Sequence, residues 1–335
     1  MKKLIFIIFT IICINNAVYA DENTELTNIQ TLIEQQDFPK AISLLKPLAD
    51  QGNPEALYVL GLLTLNGKGV KKNEQRALQL FQQAAEKNDV RAQNAYASAL
   101  ASGQGVKRNY REAVKWFTKA AEQGFATAQY NLGYLYAQGR GTTRDENLAI
   151  DWYNRAANQG LAEAQYALGW TYLNSKSENQ SDTKAAHWFE KAAEQDHLKS
   201  QNNLAYMYAE GKGFAQDLSK AIHWYTRAAE RGSAEAQYNL GFLYEQGKGV
   251  PQDYNKAMEW YKKAAELGDA SAQYSIGLMY EQGTGVNRNL NEALRWYQLA
   301  AQNGDPDAKA VLKAHEKGKQ KKQKQVQSKP NTKNK

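Results

Sequence analysis

The chain has 335 residues, 42% of them hydrophobic, a formal net charge of +7 and one cysteine, Cys13. A lone cysteine excludes a disulfide framework, and a Cys-ligated metal site with it. The positive charge sits at the ends: Lys2 and Lys3 carry +2, nine lysines against Glu316 give residues 313–335 +8, and 21–312 is left at −3, a balance that disfavours nucleic-acid binding by the body.

In chain order, residues 1–20 read as a secretory leader. Lys2 and Lys3 precede an apolar run from Leu4 to Ile14, and Val18-Tyr19-Ala20 forms a cleavage site after Ala20. The run is short for a membrane span, so no integral span is expected after cleavage and the expected location is periplasmic or secreted. Residues 21–53 read as an atypical helical cap. Leu26, Ile29, Leu32 and Ile33 mark its first helix; Phe38, Ala41, Leu44, Leu45 and Leu48 mark its second.

From residue 54 to 305 one 36-residue unit repeats seven times without insertion. Tryptophan recurs at 116, 152, 188, 224, 260 and 296, alanine three places before it, and an Ala pair closes each unit, as at Ala264-Ala265. A fixed period of this size means stacked copies of a small unit that cannot bury its own apolar face. Each unit reads as two helices. In 234–267 the first carries Ala236, Leu240, Gly241 and Tyr244 on one face, Gly247 and Gly249 interrupt it, and the second carries Ala257, Trp260, Tyr261, Ala264 and Ala265. Asn73, Asn109, Asp145, Ser181, Asp217, Asp253 and Asn289 are good N-cap acceptors, and Asn88, Gly124, Gly160, Asp196, Gly232, Gly268 and Gly304 tolerate the left-handed backbone that ends a helix. Glycines inside helices, such as Gly61 and Gly241, imply close crossing of the partner helix, with Trp and Tyr filling the gaps and the Trp ring as core. Pro306 to about Lys317 reads as a closing helix, and 318–335 as a disordered basic tail.

The unit A-x-A-Q-Y-x-L-G-x-x-Y-x-x-G-x-G-V … A-x-x-W-Y-x-x-A-A-x-x-G, clear in residues 270–303, resembles the Sel-one-like repeat, a relative of the tetratricopeptide repeat. The resemblance implies an all-α, right-handed solenoid of seven helix hairpins with terminal caps, used as a bacterial envelope or secreted adaptor. It also implies that first helices line a concave face. Aligned on that basis, Tyr130, Tyr166, Asn202, Tyr238 and Tyr274 form one ladder, and Tyr134, Trp170, Tyr206 and Phe242 a second, four residues on. These are the candidate partner-binding residues for a protein or peptide. The competing reading is that the tyrosines pack between helices. Lys319, Lys321, Lys322 and Lys324 are candidates for tethering to an anionic surface, with a glycan- or lipid-headgroup-binding protein as the alternative function.

No catalytic residue, cofactor or metal is expected. His187 and His223 occupy equivalent positions about 8–10 Å apart at best, too far to share a zinc. Ser43-x-x-Lys46 and Ser181-x-x-Lys184 match a β-lactamase pattern without its partner motifs, so a β-lactamase-like hydrolase is a minor alternative. Unit 162–197 is irregular: Ser175 and Ser177 replace both turn glycines and Asp196 replaces the closing one, through drift or a specialised centre around Trp170.

Overall fold

A computed structural model describes residues 22–327. The leader assigned to 1–20 lies outside the described residues, as does 328–335. The described chain is all-helical, with helix pairs packed in series as in an α-solenoid of repeats. It divides after Trp152 into two compact units.

The first unit holds α1 (Glu22–Glu34), α2 (Phe38–Asp50), α3 (Pro54–Asn66), α4 (Glu74–Glu86), α5 (Val90–Ser102), α6 (Tyr110–Glu122) and α7 (Ala126–Gln138). Helix α8 (Glu146–Asn158) contains the division. The second unit holds α9 (Ala162–Asn174), α10 (Asp182–Glu194), α11 (Leu198–Glu210), α12 (Leu218–Glu230), α13 (Ala234–Gln246), α14 (Tyr254–Glu266), α15 (Ala270–Gln282), α16 (Leu290–Gln302) and α17 (Pro306–Gln327).

The helix ends follow the capping chemistry. Each of the seven expected acceptors receives a backbone N–H, for example Asp217 Oδ1 from Lys220 at 2.9 Å and Asp145 Oδ1 from Leu148 at 2.9 Å. All seven expected stop residues have positive φ, including Asn88 at 69° and Asp196 at 63°. At its C-terminal end the expectation needs correcting. The closing helix does not stop near Lys317 but runs to Gln327, so residues 318–327 are helical rather than disordered. Lys and Gln are good helix formers, and Gly318 is the one glycine in that stretch.

A buried aromatic ring organises each hairpin, and it is not the tryptophan. Phe117, Phe189, Tyr225, Tyr261 and Tyr297 are each at most 3% exposed, whereas Trp116, Trp188, Trp224, Trp260 and Trp296, one residue earlier, are only half-buried. The ring explains the glycine inside the first helix. A Cβ on Gly241 would meet the Tyr261 ring at 2.6 Å, and one on Gly61 would meet the Phe81 ring at 2.6 Å. Where the turn carries a second glycine, that glycine works between repeats: a Cβ on Gly105 would meet the Glu74 carbonyl oxygen at 2.7 Å, at the start of α4.

A glutamine ladder ties successive hairpins. Gln93, Gln129, Gln165, Gln201, Gln237 and Gln273 are buried, and each Nε2 donates to the carbonyl eight residues earlier, near the end of the preceding helix. Their Oε1 atoms take a second bond where the end of the second helix in the same hairpin supplies an amide: Gln123 to Gln93 at 2.8 Å, Gln195 to Gln165 at 2.8 Å, Asn303 to Gln273 at 2.9 Å. Arg231 and Leu267 stand at that position in two hairpins. There the Gln201 and Gln237 Oε1 atoms are left without a protein partner.

Candidate functional site

The two predicted ladders separate by depth. In the first, Tyr130, Tyr166, Tyr238 and Tyr274 are half-buried. The rings of Tyr166, Tyr238 and Tyr274 lie 5.9, 5.7 and 5.4 Å from the buried rings of Phe189, Tyr261 and Tyr297 in their own hairpins. They are largely packing residues. Asn202 drops out of the exposed surface: it is 4% exposed, and its Oδ1 accepts from Asn239 Nδ2 at 3.3 Å. The short amide at this register lets α11 and α13 brace each other, and Asn131 donates to Asn94 in the same way at 3.1 Å.

The second ladder is open to solvent. Trp170, Tyr206 and Phe242 project from the same position of α9, α11 and α13 with 48%, 39% and 38% exposure, and Tyr134 holds that position on α7 in the first unit with 39%. Large apolar side chains exposed at one register in consecutive hairpins make a repeated surface rather than scattered exposure. Trp170 stacks at 6.4 Å on Tyr166, which in turn meets the His197 ring at 4.8 Å.

Cations accompany this ladder, a feature the sequence reading missed although their spacing was visible. Lys212 Nζ lies 4.9 Å from the Tyr206 ring centre and donates to its hydroxyl at 3.0 Å; Lys248 lies over Phe242 at 5.3 Å and Arg140 over Tyr134 at 5.6 Å. The bond to Tyr206 holds the Lys212 ammonium above its usual range. A second series sits on the second helices, with Lys119 over Trp116 at 4.1 Å and Lys263 over Trp260 at 4.0 Å. These pairs cover the exposed part of the half-buried tryptophans.

The irregular hairpin 162–197 has a structural explanation. Serine hydroxyls replace the glycine turn: Ser175 Oγ lies 2.9 Å from Ser177 Oγ and accepts from Ser177 N at 3.1 Å. The usual closing bond, Ser181 N to the Tyr172 carbonyl, is kept at 2.9 Å. Asp196 holds its left-handed backbone while its carboxylate meets Arg227 at 2.8 Å and Arg231 at 2.7 Å. Against a desolvation that would raise it, these guanidiniums hold its carboxyl below the usual range.

The other chemistry considered is occupied elsewhere. Ser181 caps α10, and Lys184 lies over the Tyr172 ring at 5.2 Å. Ser43 Oγ donates to the Lys40 carbonyl at 2.7 Å. His187 and His223 are exposed, each 5.3 Å from the neighbouring tryptophan. Among the described residues no group of three or more His, Cys, Asp or Glu could hold a metal. Lys319 is exposed, and the backbone at Lys321, Lys322 and Lys324 continues α17.

The Sel1 repeat family model matches residues 32–53, 54–89, 90–125, 126–161, 162–197, 198–233, 234–269 and 270–305. The chain belongs to the Sel1 repeat family. The seven 36-residue matches have the bounds of the hairpins above, and the shorter match at 32–53 makes α2 part of a further, incomplete repeat. Among solved structures, the chain is similar to c5321, a protective antigen present in uropathogenic Escherichia coli strains, with 34% identity over 89% of this chain and 67% of that one and a TM-score of 0.77. It is also similar to a Sel1 repeat protein from Oxalobacter formigenes, with 32% identity over 73% of this chain and 97% of that one and a TM-score of 0.64. No curated protein matches. Sel1 repeat proteins are generally protein-interaction scaffolds. No helix among the described residues is long and apolar enough to cross a membrane.

Proposed function

We propose that this Sel1 repeat protein is a non-enzymatic adaptor of the bacterial envelope or exterior, gripping a protein or peptide on its first-helix face, the face expected to be concave. The exposed aromatic series Trp170, Tyr206 and Phe242 carries this reading. Aromatic anchors contribute large contact area with few rotatable bonds, which is why they dominate binding surfaces. The test is cross-linking in intact cells with the full chain against the variant Trp170→Ala/Tyr206→Ala/Phe242→Ala. Loss of the captured proteins with unchanged helical circular dichroism is the expected result. Full retention by the triple variant sinks the assignment of this face.

Location rests on the leader signature of residues 1–20. Amino-terminal sequencing of the protein from fractionated cells should begin at Asp21. A second reading concerns the lysines of 318–335, to which α17 gives a continuous helical start. Charge on such a segment attracts anionic surfaces by about 1 kcal/mol per lysine near the surface. Flotation with phosphatidylglycerol vesicles, with and without residues 318–335, tests it, and equal flotation of both forms dismisses it.

A further inference from the structure

The ladder has a chemical partner built into it. Its aromatic and the cation six residues later occur together: Tyr134 with Arg140, Trp170 with Lys176, Tyr206 with Lys212, Phe242 with Lys248. Where the aromatic is absent the cation is absent too, as at Ser98 with Gln104 and Leu278 with Thr284. The hairpin 54–89 departs from this, with Leu62 and Lys68, and there Lys68 lies over the Phe38 ring at 5.2 Å. A cation over a solvent-exposed ring contributes only about 0.5–1 kcal/mol to the fold. The cation also follows a helix C-terminus, where positive charge is welcome. That explains a single lysine but not its coupling to the aromatic, because every first helix has a C-terminus.

We infer that the ladder of the second unit binds an extended acidic peptide, whose apolar side chains lie on Trp170, Tyr206 and Phe242 while its carboxylates meet Lys176, Lys212 and Lys248. The inference rests on the proposed adaptor role and names its partner's chemistry. Lys212 and Lys248 each cover part of their ring and leave the rest for an apolar contact, so one rung offers both. Packed helices stand about 8–10 Å apart, and a polyproline-II chain, with three residues per turn, advances about 3.1 Å per residue. About three peptide residues therefore span one rung, and the matching sequence carries its acidic and apolar residues at a period of three. The rungs are not equal. Lys212 already donates to the Tyr206 hydroxyl at 3.0 Å, whereas Lys248 faces a phenyl ring that carries no acceptor. The Lys248 rung should contribute more than the Lys212 rung. The positive charge of both rungs excludes this chain's own lysine-rich tail as the occupant.

The experiment is fluorescence anisotropy with the full chain and three synthetic peptides: repeats of Glu-Leu-Ser, of Gln-Leu-Ser and of Glu-Ser-Ser. The first should bind at least about tenfold more tightly than either other, a margin of about 1.4 kcal/mol. Lys248→Gln should remove more of that margin than Lys212→Gln, with the double variant restored by Lys→Arg at both sites. Added salt should weaken the first peptide more than the second. Equal binding of the Glu and Gln peptides overturns the inference, as does failure of all three to bind or insensitivity to the lysine variants. Preference for an anionic glycan such as heparin over every peptide overturns it too. These failures leave the adaptor role standing if the triple aromatic variant still loses its cross-linked partners, so the two ideas fall separately.

Discussion

At the residue scale, repetition and burial are different quantities. Tryptophan is conspicuous in the repeat, yet the hairpin 54–89 carries Leu80 at that position and keeps Phe81 at the next one. Phe81 is 3% exposed and presses on Gly61; a leucine beside it is small enough to be buried too, at 1%, whereas in the tryptophan-bearing hairpins only the position after the tryptophan is buried. Tyr225→Ala should therefore destabilise by about 3–5 kcal/mol, the usual range for removing a large buried ring. Trp224→Ala should destabilise less, because its ring is half-buried and lies under Arg227 at 5.4 Å. Urea titration of both variants decides between them, and a larger loss for Trp224→Ala contradicts the placement. The glutamine ladder yields a change in the opposite direction. Leu267 is 56% exposed at the position from which Gln123 and Gln195 reach the preceding glutamine. Leu267→Gln would give the orphaned Gln237 Oε1 a donor and should add about 0.5–1.5 kcal/mol. An unchanged urea midpoint would show that the new amide fails to reach it.

At the element scale, the second helices of the last two hairpins are pinned to their first helices through phenols. Tyr261 donates to Glu245 at 2.7 Å and Tyr297 to Glu281 at 2.6 Å. Burial first, and the neighbouring carboxylates next, push both phenols well above their usual range; burial likewise takes Tyr58 up to about 12. In the unfolded chain tyrosine ionises at about pH 10, while in the folded chain these two stay protonated. The folded state then holds more protons, so stability is complete below about pH 10 and falls as pH rises through the folded values. Thermal melts above that pH should show a falling midpoint, and the double variant Tyr261→Phe/Tyr297→Phe should fall less steeply. Equal slopes would mean that these phenols do not carry the effect. Elements of this kind were legible where local chemistry decides them: the seven N-caps, the positive-φ stops and the two-helix unit all follow from residue type and period. The phase of the aromatic stripe was not, since a 36-residue period says that positions are equivalent without saying which are inward. The burial of Asn202 was hidden for a similar reason, because its partner Asn239 lies 37 residues on, one step out of the period. The end of α17 was misjudged by treating lysine-rich composition as disorder when lysine and glutamine favour helix.

At the scale of the whole molecule, stability in a repeat array is a sum of hairpins and nearest-neighbour interfaces. The register is carried by contacts of fixed sequence separation, such as the glutamine-to-carbonyl bond across eight residues. Deleting residues 198–233 removes one complete hairpin and joins His197 to Ala234. His197 already caps a first helix, α11, and would cap α13 in place of Ser233. Gln237 would then stand eight residues from the end of α10 along the shortened chain, as Gln201 does now. This deletion should leave a folded protein with full helicity per residue and a urea m-value smaller by roughly one seventh. Its stability should fall further than the lost length alone requires, because Asp196 loses both Arg227 and Arg231 and keeps a left-handed backbone without them. Deleting residues 216–233 instead removes α12 with its buried Tyr225 and sets two first helices in succession. That form should lose cooperative unfolding. If both deletions behave alike, folding does not proceed hairpin by hairpin, and the exposed ladder could not be extended or shortened one rung at a time.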